Sequence, residues 1–211
     1  MRVAMVLLLG FPVCASADLV QLEYEGTVTS VTRNACGCDP TRDYASDHPE
    51  FTAYSVGDRL HGFLMIDVAA APPDSASEPE VGLYRAPPNS GGFISGIGAP
   101  LIDPVLHSMD NDHVAVVDAA HELPFELYVV RDHWGTPNGH GHLLVGVNSD
   151  RAGLNLVSGP DIAQTIDATP SQDLSLSGFL SKVVRGAKGT VSVLVQLAFD
   201  RVRVTPGRCR A

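Results

Sequence analysis

The sequence predicts an all-β protein, built as a two-sheet and mostly antiparallel β-sandwich. Three observations carry that expectation. Residues 54–67, YSVGDRLHGFLMID, place a Gly57-Asp58 turn before a run in which Leu60, Gly62, Leu64 and Ile66 share one face. His61, Phe63, Met65 and Asp67 share the other, so a period of two with apolar residues on both sides reads as a central strand covered on both faces. Gly 20 and Pro 15 against 6% aromatics describe many strands joined by irregular loops. No amphipathic helix of useful length and no repeat at a fixed period interrupts the pattern.

In chain order, Arg2, the apolar run 3–13 and the small-x-small triplet Ala15-Ser16-Ala17 form a secretory signal too short to anchor in a bilayer. Phe11-Pro12-Val13 before Cys14 is too bulky for a lipobox. Cleavage near Ala17 gives a secreted or periplasmic chain, with residues 1–17 expected to pack on nothing. The remaining 18–211 segment, about 194 residues, suits a single core.

Residues 19–32 alternate as a half-buried strand, with Val20, Leu22, Tyr24, Gly26 and Val28 on one face. A polar loop over 33–50 follows, then the 51–67 strand pair. Residues 68–79 and 159–173 lack large apolar side chains and are expected to be weakly packed loops. Weak strands are expected at 81–84 and 92–97, better ones at 113–117, 125–131 and 143–147, and a short one at 152–157. In 125–131, Phe125, Leu127 and Val129 are assigned inward. Leu174, Leu176 and Gly178 open a last hairpin whose return strand carries Val193, Val195, Leu197 and Phe199 on one face. The apolar phase then slips to Val202 and Val204, which requires a bulge or a crossing between sheets near Asp200 and Arg201.

A net charge of −10 with no basic stripe repels phosphate backbones, so nucleic acid is not an expected partner. The plain reading of that charge is colloidal solubility.

The order of these pieces resembles exported bacterial proteins of the PEP-CTERM-associated type. The matching motifs are Tyr24-Glu25-Gly26-Thr27-Val28-Thr29-Ser30-Val31, then Val56-Gly57-Asp58-Arg59-Leu60-His61-Gly62-Phe63-Leu64-Met65-Ile66-Asp67. Val130-Arg131-Asp132-His133-Trp134-Gly135 and Val204-Thr205-Pro206 complete the series. The resemblance implies a secreted, jelly-roll-like β-sandwich with no catalytic residues to carry over. It departs at Gly207-Arg208-Cys209-Arg210-Ala211, where the family's anchor would stand, so no membrane anchor is expected.

One segment has metal-site chemistry. His140 and His142, spaced by one residue on a strand, point to one face, and Asp132 and His133 lie across the loop from them. Cupins place a similar His-x-His pair in a jelly roll. Here, however, Gly135 stands one residue too close and no acid follows at the expected distance. The strand's apolar face is Leu143, Val145 and Val147, which leaves the histidines on a solvated face. Asp110 and Asp112 offer oxygens for calcium, without an EF-hand spacing. No nucleophile elbow or paired-acid pattern stands out, so no catalytic residue is assigned.

Export also frames the cysteines. Cys36 and Cys38 lie after the first strand and Cys209 after the last. A Cys209 bridge to Cys36 or Cys38 is expected, the cysteines brought together by parallel terminal strands or a crossing at the bulge, with the third thiol free or joining two chains. These readings converge on a secreted, non-catalytic protein with a surface, matrix or binding role and no obligatory cofactor. The alternatives are a metal-dependent, cupin-like enzyme or sensor using His140 and His142, and a calcium-stabilised adhesion module.

Overall fold

A computed structural model describes residues 19–36, 54–87, 92–97, 112–118, 125–136, 139–151, 154–186 and 189–207. Residues 1–17, Cys38, Asp110 and Cys209 lie outside them. The strands are β1 (Leu19–Cys36), β2 (Arg59–Asp67), β3 (Val81–Arg85), β4 (Ile94–Ile97) and β5 (His113–Val117). They continue as β6 (Glu126–Thr136), β7 (Gly139–Ser149), β8 (Ile166–Ala168), β9 (Leu174–Gly186) and β10 (Gly189–Pro206). Among the described residues there is no helix.

The strands join one hydrogen-bonded sheet in the order β3-β5-β6-β7-β9-β10-β1-β2-β4, with β8 beside β10. Every pairing is antiparallel. The sheet curls into a half-barrel that brings β4 near β6. Its concave face holds one apolar cluster, including Leu22, Leu64, Val114, Val130, Val145 and Val195.

Sequence pattern and structure agree most closely at the long strands. Leu22, Tyr24, Leu60, Leu64, Ile66, Val193, Val195, Leu197 and Phe199 are buried as expected. The phase slip in β10 is a bulge: Gly26 pairs with Phe199 and Glu25 with Arg201, which leaves Asp200 over. Past it, β10 has parted from β9, and Val202–Val204 pairs with β8 instead. Both Val202 and Val204 remain buried.

Three expectations need correction. β2 lies next to the edge strand β4 rather than at the sheet's centre, and its outer face is open, with His61 exposed. Phe125, Leu127 and Val129 are half-buried on the convex face, while Glu126, Tyr128, Val130 and Asp132 point inward. Both acids are buried, and backbone N–H groups hold Glu126. The Glu126 carboxylate accepts from Asn155 N at 3.1 Å and from Leu156 N.

The third correction concerns the loops. Segment 159–173 is packed, with Ile162, Gln164, Ile166 and Ala168 buried, and it contains β8. Tyr128 Oη donates to Ile162 O at 2.9 Å, and the Gln164 side chain bonds Ser158 N, Gly159 O and Asp161 O. These bonds seat the loop against the core and satisfy its buried polar groups. The 152–157 stretch carries no strand at its described positions. In the 68–79 loop, Leu83 N donates to Asp74 Oδ1 and Ser75 N to Leu83 O, covering the open edge of β3.

β1 and β10 are antiparallel, with Cys36 opposite Thr190 and Val20 opposite Pro206. Gly207 donates to Leu19 O at the other end of β1. The bridge from Cys209 to Cys36 or Cys38 expected from the sequence falls outside the described residues.

Candidate functional site

The β6–β7 hairpin gathers the histidines. Its ladder pairs His133 with His142 and Gly135 with His140, and strand alternation turns all three imidazoles to the convex face. His133 and His142 stack with ring centroids 4.4 Å apart. His140 completes the cluster at 5.4 Å from His142 and 6.0 Å from His133. The opposite face of β7 carries Leu143, Val145 and Val147, all fully buried, as the apolar pattern requires.

Asp132 does not join them. Alternation sends it to the concave face, where it is buried and separated from the imidazoles by the sheet itself. Burial, then the nearby Asp112 carboxylate, push its carboxyl up to about 8. Asp112 is also fully buried, and both of its oxygens face N–H donors. Oδ2 accepts from Phe93 N at 3.1 Å and Ile94 N at 3.0 Å, and Oδ1 from His133 N at 3.0 Å. The carboxylate proposed from sequence as a calcium ligand thus ties β4 to β6 across the open side of the half-barrel. Tyr24 lies on the same inner face, its hydroxyl buried with no hydrogen-bond partner among the described residues. Burial, with smaller contributions from Asp132 and Tyr54, raises its pKa.

On the convex face the histidines meet arginine. Arg131 Nη2 lies 3.2 Å from His142 Nδ1, and since guanidinium only donates, this nitrogen accepts. Burial, followed by His133, Arg131 and His140, lowers the His142 pKa to about 4, so the ring is neutral at pH 7. With Nδ1 accepting, the ring proton sits on Nε2, leaving no free lone pair there for an ion. Consistently, no group of three or more His, Cys, Asp or Glu among the described residues is arranged to hold a metal.

The basic row extends sideways. Arg85 on β3 pairs with His113 on β5, which pairs with Arg131 on β6. A cavity of about 450 Å³ opens over them, its described lining being Leu83, Arg85, His113 and Arg131. Sequence reasoning found the histidines through their i, i+2 spacing but missed this row. Its members come from three strands, and no local period links them. The one available signal was Arg131-Asp132-His133, a polar triplet that marks both faces at the end of an apolar strand.

No family model, curated protein or solved structure matches the chain. The site therefore stands on its own geometry.

Proposed function

We propose that this is an exported, non-catalytic β-protein that binds a component of the cell surface or extracellular matrix through the arginine and histidine face of β3, β5, β6 and β7. One observation carries the reading. A chain of net charge −10 concentrates Arg85, His113, Arg131, His133, His140 and His142 on one side of a single sheet region. Arg85 and Arg131 place positive charge there against the sign of the whole molecule, and the imidazoles beside them add polar ring nitrogens. The leader-like start and the resemblance to PEP-CTERM-associated proteins support export. The same reading treats the curled sheet as a sandwich-like, jelly-roll-related scaffold, supported by the Asp112 carboxylate that links β4 to β6.

The test is co-sedimentation of the mature protein with envelope and matrix material from cells that secrete it. Retention should fall sharply in Arg131→Gln/His133→Gln. Equal retention of folded wild type and variant would reject this face as the binding surface.

A metal-dependent reading keeps one specific support, the three imidazoles packed within 6.0 Å of one another. Against it, the Arg131 guanidinium sits on His142 and repels a further cation. Metal analysis of purified protein, compared with His140→Ala/His142→Ala, separates the two. A stoichiometric transition metal lost in that variant would favour the metal reading.

A further inference from the structure

We infer that the cavity over β3, β5 and β6 is a binding site for an oxyanion group, with Arg131 as its anchor. The inference rests on the binding face proposed above and names the ligand chemistry for one part of it.

Three features point the same way. The first is the register. Arg85, His113 and Arg131 stand directly opposite one another across three strands, on one face. The guanidinium groups of Arg85 and Arg131 bring positive charge and planar N–H donors to that face from either side of His113. Backbones two strands apart are separated by about 9.6 Å, which two arginine side chains can bridge by leaning toward a common point.

The second is Arg131 itself. Among the described residues it makes no ion pair, and its one hydrogen bond goes to a neutral imidazole. Its Nε is buried with no acceptor. A guanidinium presents five N–H donors in a planar fork suited to carboxylate, sulfate or phosphate oxygens. An unpartnered N–H on a charged group is costly to leave in place, so native proteins seldom keep one without use. The contrast on this molecule is plain: Arg201 and Arg203, on β10, share the Asp167 carboxylate, with Arg201 gripping it by two bonds at 2.7 and 2.6 Å.

The third is shape. At about 450 Å³ the cavity is larger than a bare inorganic ion requires, and Leu83 gives it one apolar wall. Its described lining contains no acid. That suits a small molecule or polymer unit that carries an oxyanion on a less polar body. The imidazole cluster begins two residue pairs along the same hairpin, where it extends the polar surface beyond the cavity mouth.

The experiment is calorimetric titration of the mature protein with sodium acetate, sulfate and phosphate at constant ionic strength, alongside NMR of the arginine Nε–H signals. Saturable binding of at least one of the three is expected, with a downfield shift of the Arg131 Nε–H as it gains an acceptor. The order of affinities distinguishes carboxylate from sulfate or phosphate as the natural group. Arg131→Gln should weaken binding at least about tenfold, as loss of a charged hydrogen bond does. Arg85→Gln, at an exposed position, should weaken it by a smaller factor. No saturable binding of any anion, or binding unchanged in both variants, overturns the inference. If anions fail to bind while retention on matrix material still depends on Arg131 and His133, only the oxyanion assignment falls. If anions bind but retention does not depend on the face, the surface role falls instead.

Discussion

Asp112 and Asp132 face each other on the concave side of the half-barrel, one at the start of β5 and one near the end of β6. The ladder that pairs His113 with Arg131 brings them to opposite positions, and both are buried. Their environments differ. Asp112 is surrounded by three backbone N–H groups, the arrangement that holds a carboxylate in its charged form. Asp132, beside it, is held protonated by burial and by that charge. The Asp112 carboxylate of this pair joins β4 to β6.

The titration of Asp132 makes stability depend on pH. Its carboxyl is raised from 3.8 to about 8 in the folded protein, so the folded state holds a proton that the unfolded chain releases between those values. This contribution is full below pH 4 and is lost as pH rises through about 8. Asp132→Asn stays neutral throughout, so the difference in unfolding free energy between variant and wild type should grow across that window, to about a few kcal/mol. Urea melts at pH 5, 7 and 9 measure it. A difference independent of pH would mean that Asp132 is ionised in the folded state.

Asp112→Ala should cost about 3–5 kcal/mol, because it strands three buried N–H groups and opens the seam between β4 and β6. Asp112→Asn retains one acceptor oxygen and should lose less. Amide exchange at Ile94 and His133 should accelerate in both variants. A loss below about 1 kcal/mol with unchanged exchange would show that the carboxylate does not hold the seam.

Gly178 and Gly57 separate two reasons for glycine. A Cβ at Gly178 would stand 2.0 Å from Leu144 O, where β9 passes β7, so Gly178→Ala must displace backbone and should cost about 1–3 kcal/mol. Gly57 has a φ of +95° and open space around it, so Gly57→Ala meets only conformational strain, about 1 kcal/mol. Equal losses measured by thermal melts would contradict this distinction.

The parts of the fold legible in the sequence were those written as local alternation. Leu60, Leu64 and Ile66 on β2, and Val193 to Phe199 on β10, carry one buried face each, and the slip at Asp200 was visible because a bulge shifts that period by one residue. β6 misled because both of its faces are apolar and its inward acids are buried, Glu126 accepting N–H bonds from the distant Asn155 and Leu156 and Asp132 held protonated by burial. The 159–173 loop misled for a related reason: the Gln164 side chain and Ile162 anchor it, although its composition is poor in large apolar residues. At the candidate site, the His140 and His142 spacing was local and readable. The meeting of Arg85, His113 and Arg131 was not, since it exists only once β3, β5 and β6 have paired.

The most direct test of the central claim is competition. Wild-type protein is sedimented with matrix material in acetate, sulfate, phosphate or chloride at matched ionic strength, beside Arg131→Gln. If the arginine and histidine face binds an oxyanion-bearing surface component, at least one oxyanion should release wild-type protein well below the level at which chloride does. Arg131→Gln should be retained weakly and respond little. Release that depends only on ionic strength, and equally for wild type and variant, would contradict the account.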